Sequence, residues 1–515
     1  MKLPARRAVH YEVFSRSGKE FHKQAIPEGI CCFPEDNQKS LFARSPKMVL
    51  ISWVGKSCFY LDPLARIFQV IKPLICYRIK TSIFAMILWV TFFWLIPPNA
   101  MGFATGKVVD LFTKRPIGGA LITSSKDIER TNENGIFYIN TTKEKVGIKA
   151  HGYIGTKQAF TIPLINIPQE IKLAPFNPKG LYLSFYGIGD RTLRESAIRL
   201  IEETELNTLV IDVKGDRGLI PYKSSIPLVS EVGAQQIITV KDMNSLMKSL
   251  KEKGIYTIAR IVVFKDNPLA LKMADLSVKT QSGQLWRDRE NLAWVDPFKR
   301  EVWDYNIQIA MEAAQIGFDE IQFDYVRFPD ASGLRFSMSN TEENRVRAIS
   351  GFLREAKERL MPYNVFLSAD IFGYVCWNLN DTEIGQRLED LVSLVDYVCP
   401  MLYPSGFQYG IPGYRMPVAH PHEIVYLTLK RAQERTRLPS IRFRPWLQAF
   451  RDYAFDRRVF RGKELEDQIN AAKEFGSQGW MLWNPQNNYF EDGLKKITPV
   501  GIRYASPLQN RMRRE

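Results

Sequence analysis

The run FDYVRFP (Phe323–Pro329) sets two ionisable side chains, Asp324 and Arg327, into an otherwise apolar segment. Burying charge is costly unless the group is paired or at work. The two residues are three apart, so on an ideal strand they face opposite sides, and a mutual ion pair explains them only if the strand ends between them. A capping or salt-bridging role is the structural alternative for Asp324. Similar polar interruptions recur along the C-terminal two-thirds of the chain: Asp212 and Asp216 in VIDVKGD, Arg260, Asp370, Tyr403, Trp446 with Gln448, and Trp483 with Asn484. Carboxylates in pairs supply acid, base or nucleophile at a glycosidic bond, arginines and amides read hydroxyls, and aromatic faces stack on pyranose rings. The expected catalytic set is Asp324 as nucleophile or charge stabiliser and Asp370 as acid/base partner, with Asp212 as a substitute. Arg260, Arg327, Tyr403, Trp446, Gln448, Trp483 and Asn484 are the expected sugar-binding residues.

Other chemistries have thin support. Of five histidines only His420 and His422 fall in this part of the chain, in AHPHE on an expected loop with Glu423 nearby, and a third strand-borne histidine for zinc is missing. There is no C-x-x-C pair and no G-x-S-x-G elbow. No metal and no cofactor is expected.

These residues need a scaffold. Between residues 180 and 495, eight β-type runs alternate with amphipathic stretches: 180–187, 208–213, 256–264, 320–328, 365–373, 397–404, 443–450 and 479–485. The intervening stretches, such as KREVWDYNIQIAMEAAQIG and KELEDQINAAKEFG, have apolar residues at three- and four-residue spacing, and three end on or near glycine. That rhythm predicts an α/β fold, a (β/α)8 TIM barrel, whose sites form at the C-terminal ends of the strands where the polar residues above fall. A doubly wound open sheet is the alternative, but no G-x-G-x-x-G follows the first strand. Asp319, just ahead of the fourth strand, reads as a turn position tolerant of Asn.

The motifs GLYLSFYG, VIDVKGDRG, AWVDPFKREVWDY, FDEIQFDYVRFP, SADIFG, PMLYPS and GWMLWNP together resemble the putative glycoside hydrolase domain family of bacteria. The resemblance spans essentially all of residues 180–495 and implies a TIM barrel and hydrolysis of carbohydrate.

Ahead of the barrel, residues 103–175 read as a small all-β sandwich. Gly106, Val108, Asp110, Pro116, Ala120, Thr131, Gly135, Phe137, Lys149, Gly152 and Tyr153 stand at spacings that resemble the carboxypeptidase-regulatory-like family, with Asn132 where Asp is usual. The resemblance implies a non-catalytic spacer or binding module, in which His151 is a strand residue. Residues 81–106 carry no charge, and Ile83–Ile96 is a 14-residue hydrophobic stretch preceded by Arg78 and Lys80 and followed by Pro97 and Pro98. This pattern, at 81–104, predicts a signal peptide cleaved after Ala100 or Ala104, or a signal anchor, and so an exported or membrane-anchored, extracytoplasmic protein. Residues 1–80 form a basic leader, or place the true start downstream at a position such as Met48. Residues 496–515 form a basic tail.

The formal net charge of +15 looks like a nucleic-acid signal until it is located. Residues 1–80 hold 14 Lys/Arg and 6 Asp/Glu, which is +8 of the total, and no basic stripe with interleaved aromatics follows. No nucleic-acid partner is expected; a polysaccharide substrate is, with membrane contact only through the hydrophobic segment. Cys376 and Cys399 are expected as buried free thiols. The leading function is glycoside hydrolysis of an extracellular or cell-envelope polysaccharide. A non-catalytic glycan-binding barrel is the alternative from another class, and transglycosylation would use the same residues.

Overall fold

The computed structural model describes residues 103–124, 127–140, 145–159 and 168–497. The expected leader, all but the last two residues of the expected export segment (81–104) and most of the basic tail lie outside them. Among the described residues no helix is long and apolar enough to cross a membrane.

The first seven strands are β1 (Phe103–Asp110), β2 (Leu121–Thr123), β3 (Ile128–Arg130), β4 (Ile136–Asn140), β5 (Lys145–Lys149), β6 (Thr156–Ala159) and β7 (Gln169–Leu173). They form two sheets, β4-β1-β7 and β3-β2-β5-β6. Alternating apolar positions such as Phe137 and Ile139, or Val146 and Ile148, supply a core of their own. Gly135 has φ +73°, and a Cβ there would meet the Val108 carbonyl, so the turn into β4 requires glycine. His151 lies in the turn after β5 rather than in a strand.

From Lys179 the chain gives ten more strands: β8 (Lys179–Leu183), β9 (Thr208–Lys214), β10 (Tyr256–Val262), β11 (Lys279–Thr280), β12 (Glu320–Asp324), β13 (Leu334–Arg335), β14 (Phe366–Phe372), β15 (Tyr397–Met401), β16 (Trp446–Gln448) and β17 (Trp480–Trp483). Eight of them close into a parallel barrel in the order β8-β9-β10-β12-β14-β15-β16-β17, while β11 and β13 pair with each other in the loops beyond the third and fourth barrel strands. Strands β9, β10 and β12 are buried along their whole length, as expected where helices cover the outside and side chains fill the inside. Asp190, Asp242, Asp266 and Thr341 cap helix N-termini with their side-chain oxygens. Helix Arg300–Ile316 stops at Gly317, which takes φ 110°.

All eight expected barrel strands form, and seven end short of the expected run because the mouth loops begin early; the second instead continues one residue further, to Lys214. The first stops at Leu183, after which Ser184 caps a short helix, Phe185–Gly189. AHPHE is not a loop throughout: Pro421 opens helix Pro421–Thr436, within which His422 Nε2 lies 3.0 Å from Glu474 Oε2. Cys376 and Cys399 are buried free thiols.

These two small sheets pack on the N-terminal end of the barrel strands. Lys149 Nζ donates to Val365 O at 2.6 Å and to Asp396 Oδ2 at 2.8 Å, Gly152 N donates to the Tyr397 hydroxyl at 3.1 Å, and Asn364 Nδ2 donates to Thr156 O at 3.0 Å. Just inside this end, buried Glu320 accepts from Arg444 Nη1 at 2.5 Å, from Ser368 Oγ at 2.6 Å and from the Tyr256 hydroxyl at 3.1 Å. Polar groups at this face of a barrel serve stability. The opposite face is left clear for the site.

Candidate active site

Arg260, 1 % exposed, is the hub of the barrel mouth. The register of β10 places it opposite Asp212 of β9, and Val262 two positions on opposite Asp324 of β12. Its guanidinium reaches three carboxylates: Nη1 donates to Asp212 Oδ1 at 2.7 Å, Nη2 to Asp216 Oδ1 at 2.8 Å, and Nε and Nη2 to Asp324 Oδ2 at 3.0 and 2.5 Å. Only a planar fork with five donors can span such a set. Asp212 also accepts from the Tyr182 hydroxyl at 2.7 Å and from Phe185 N at 3.1 Å. The Tyr182 ring stacks on Trp483 with centroids 4.0 Å apart, and Arg260 lies over the Trp483 ring at 4.9 Å. Burial, reinforced by the Asp216 charge and opposed by Arg260, raises the Asp212 carboxyl from its ordinary 3.8 to about 6. Asp216 is also penalised by burial, but Arg260 and Lys265 outweigh this and hold it below the usual range.

The second carboxyl is of another kind. Asp370, on β14 and 1 % exposed, accepts from Trp446 Nε1 at 2.8 Å. Burial above all, and then the neighbouring Asp324 charge, pushes it well above the usual carboxylate range and so favours its protonated form. Asp324 ends β12, and the next residue, Tyr325, sits at φ +48° with its N–H donating to Asp324 Oδ1 at 2.6 Å. That left-handed turn at a bulky residue is strained, and such strain persists only where the surroundings impose it. Its effect is to bring Arg327 round into the cleft that Asp324 also lines.

The sequence profile described as "putative glycosyl hydrolase domain" matches residues 180–489, more than half of the chain. The chain belongs to this glycosyl hydrolase family. No curated protein matches it. Among solved structures, a hypothetical protein from Ruminiclostridium thermocellum is 40% identical over 37% of this chain and 96% of its own, with a TM-score of 0.34. The PgaB (BpsB) glycoside hydrolase domain from Bordetella bronchiseptica is 13% identical over 61% of this chain and 95% of its own, with a TM-score of 0.46. Catalytic domain 2 of a group II chitinase from Ostrinia furnacalis is 10% identical over 60% and 89%, with a TM-score of 0.36.

In this glycosyl hydrolase barrel the cleft is lined by Arg260, Asp324, Arg327, Asp370, Tyr403, Trp446 and Trp483, seven of the ten residues expected from sequence. Three are placed elsewhere. Asp212 lies behind Arg260, held by Tyr182 and Phe185 N, and orients the guanidinium rather than facing the cleft. Gln448 is fully buried, with its amide committed to Ser405 N at 3.0 Å, Ser405 Oγ at 2.7 Å and Phe450 O at 3.2 Å, so it ties two mouth loops together and does not line the cleft. Asn484 likewise spends its amide on Ala449 O at 2.8 Å, Asn488 O at 2.6 Å and Gln486 N at 2.9 Å. Sequence reasoning missed Tyr182, whose inward position followed from strand alternation, and Phe407 and Tyr453, which reach the cleft from loops that carry no periodic signal.

The electrostatics give the family member an expected stability profile. Asp212 is raised in the folded state, so folding takes up a proton between the usual carboxylate range and about 6; its penalty is present above that window and relieved as pH falls through it. Asp370 acts in the same direction. Asp396 is the reverse: although burial raises it, Lys149 and His151 hold it well below the usual range, so its contribution is lost on strong acidification. Thermal unfolding followed across pH should therefore give a higher melting temperature near pH 5 than near pH 8, with a fall below roughly pH 4. A melting temperature that climbs steadily from pH 5 to 8 would contradict these assignments.

Proposed function

We propose that the cleft hydrolyses glycosidic bonds of a polysaccharide, with Asp370 as proton donor and Asp324 as the carboxylate facing the anomeric carbon. The observation that carries this reading is the contrast between two carboxyls on adjacent strands: Asp370 is buried against Trp446 Nε1 with no cation of the described residues bonded to it, which favours its protonated form, while Asp324 is salt-bridged to Arg260. Two carboxyls in such different surroundings, one desolvated and one paired to a cation, suit the acid and the carboxylate roles of glycoside cleavage. Asp370 gives its proton to the glycosidic oxygen as the bond to the anomeric carbon breaks, and the positive charge that develops on the sugar ring is met by Asp324; water then adds to the anomeric carbon and its proton returns to Asp370. Asp212, Asp216 and Arg260 hold Asp324 in place for that step, and Tyr403 and Trp483 offer ring faces to the sugar.

A glycan-binding barrel without turnover is the second reading. It is favoured by the hydrogen bonds that already occupy Asp324, two from Arg260 on Oδ2 and one from Tyr325 N on Oδ1. A carboxylate has further lone pairs to offer, so these bonds leave room for a role in catalysis. A panel of cell-envelope and matrix polysaccharides, assayed for new reducing ends between pH 4 and 8, separates the two. Release from at least one glycan is expected. Binding that survives Asp324→Asn with no release anywhere in the panel would establish the second reading instead.

A further inference from the structure

We propose that the sugar seated in this cleft carries a carboxylate and that Arg327 receives it. The inference rests on the glycan reading above and adds the substrate class. Four arginines are buried among the described residues, and three of them sit on acids: Arg260 on Asp212, Asp216 and Asp324, Arg345 on Asp381, and Arg444 on Glu320. Arg327 is the exception. It is 9 % exposed and lines the cleft, yet no carboxylate of the described residues lies within ion-pair distance of it. Its one hydrogen bond among them runs from Nη1 to the Phe328 carbonyl at 3.0 Å.

The guanidinium is nevertheless held firmly. Trp294 and Tyr325 ring centroids lie 5.0 Å from its carbon, and that of Phe372 lies at 4.8 Å. Three π faces offset part of the cost of burying a cation, but they offer no acceptor to its N–H groups. A box that holds an arginine among aromatic rings and leaves most of its donors unspent is suited to a bidentate oxyanion, and a planar carboxylate matches the fork. The cleft around it does not repel such a group strongly, because burial favours the protonated form of Asp370 and Asp324 is salt-bridged to Arg260. Uronic acids and sugars with a lactyl ether both present a carboxylate at the ring periphery, and a sulfate ester is the competing oxyanion.

The test is calorimetric titration of the purified full chain with galacturonate and mannuronate tetramers, N-acetylmuramic acid-containing oligosaccharides, their carboxyl-reduced counterparts, and a sulfated oligosaccharide. At least one carboxylated probe should bind about 30-fold more tightly than its reduced form, the effect expected of one charge-assisted bidentate contact. Which probe does so distinguishes the uronic from the lactyl source. Arg327→Met, which keeps the aromatic box filled, should bring the two forms within about threefold of each other. If that variant does not fold, Arg327→Lys, which keeps the charge but loses the fork, should still cut the preference by about fivefold or more. Equal binding of acidic and reduced forms, preference for the sulfated probe, no binding of any carboxylated probe, or a preference that survives the Arg327 substitution would each overturn the proposal. Turnover is read in the same samples. Preference without cleavage upholds this inference while removing hydrolysis, whereas cleavage of neutral glycans without preference does the opposite.

Discussion

Asp370→Asn should lower kcat on an unactivated glycan by about 10³-fold or more, the scale of losing a positioned general acid. The same variant should melt within about 2 °C of the parent. The second half of this expectation follows from the surroundings of Asp370. Burial favours its protonated form, so Asn replaces a group of the same shape without removing a paired charge, and its amide oxygen can still accept from Trp446 Nε1. The rate should fall because an amide has no proton to give. Substrates with a good leaving group, such as nitrophenyl glycosides, need less protonation and should lose much less. Asp324→Asn should differ: activity falls, and stability falls with it, because a charge-assisted contact to buried Arg260 is removed. Full kcat in Asp370→Asn on an unactivated glycan would remove it as the acid.

Arg260→Met should destabilise the barrel by about 3 kcal/mol or more, measured by denaturant unfolding, because breaking a buried ion pair leaves its partners uncompensated. Here one cation serves Asp212, Asp216 and Asp324, so its loss strands three carboxyls at once in the barrel mouth. Arg260→Lys should recover little, since one ammonium on a flexible stem cannot span donors to three acids. Adding Asp212→Asn and Asp324→Asn to Arg260→Met should restore part of the stability by removing charges that no longer have a partner. If Arg260→Met alone unfolds within about 1 kcal/mol of the parent, the hub does not carry the electrostatic load assigned to it.

Much of the fold is legible in the residues. Eight β-type runs separated by amphipathic stretches are a periodic signal, and periodicity is set by which faces of an element meet the core. The closed barrel follows, as does the clustering of strand-end polar groups at one mouth. Strand ends are less legible, since an apolar run such as residues 320–328 continues past Asp324 although the strand does not. Asp319 shows the same limit. It reads as an inert turn residue, yet its carboxylate accepts from both Thr257 N and Thr257 Oγ1 at 2.9 Å and so clamps the start of β10.

By itself the sequence determined the barrel, the membership of Asp324 and Asp370 in one cleft, and the aromatic character of that cleft, because strand order and strand-end position translate directly into place on a TIM barrel. Tertiary structure alone decided the roles. Asp324 and Arg327, three residues apart, line the same cleft only because the strand stops and Tyr325 turns left-handed between them. Asp324 pairs with Arg260, 64 residues away, and Asp370 is pushed toward its protonated form because neighbouring strands bury it beside that pair. Gln448 and Asn484 have the residue types of a sugar reader, but their amides are spent on loop backbone and a neighbouring hydroxyl. Spacing along a chain records which face a residue occupies, whereas protonation and hydrogen-bond commitment depend on distances and burial that arise only when remote strands close together.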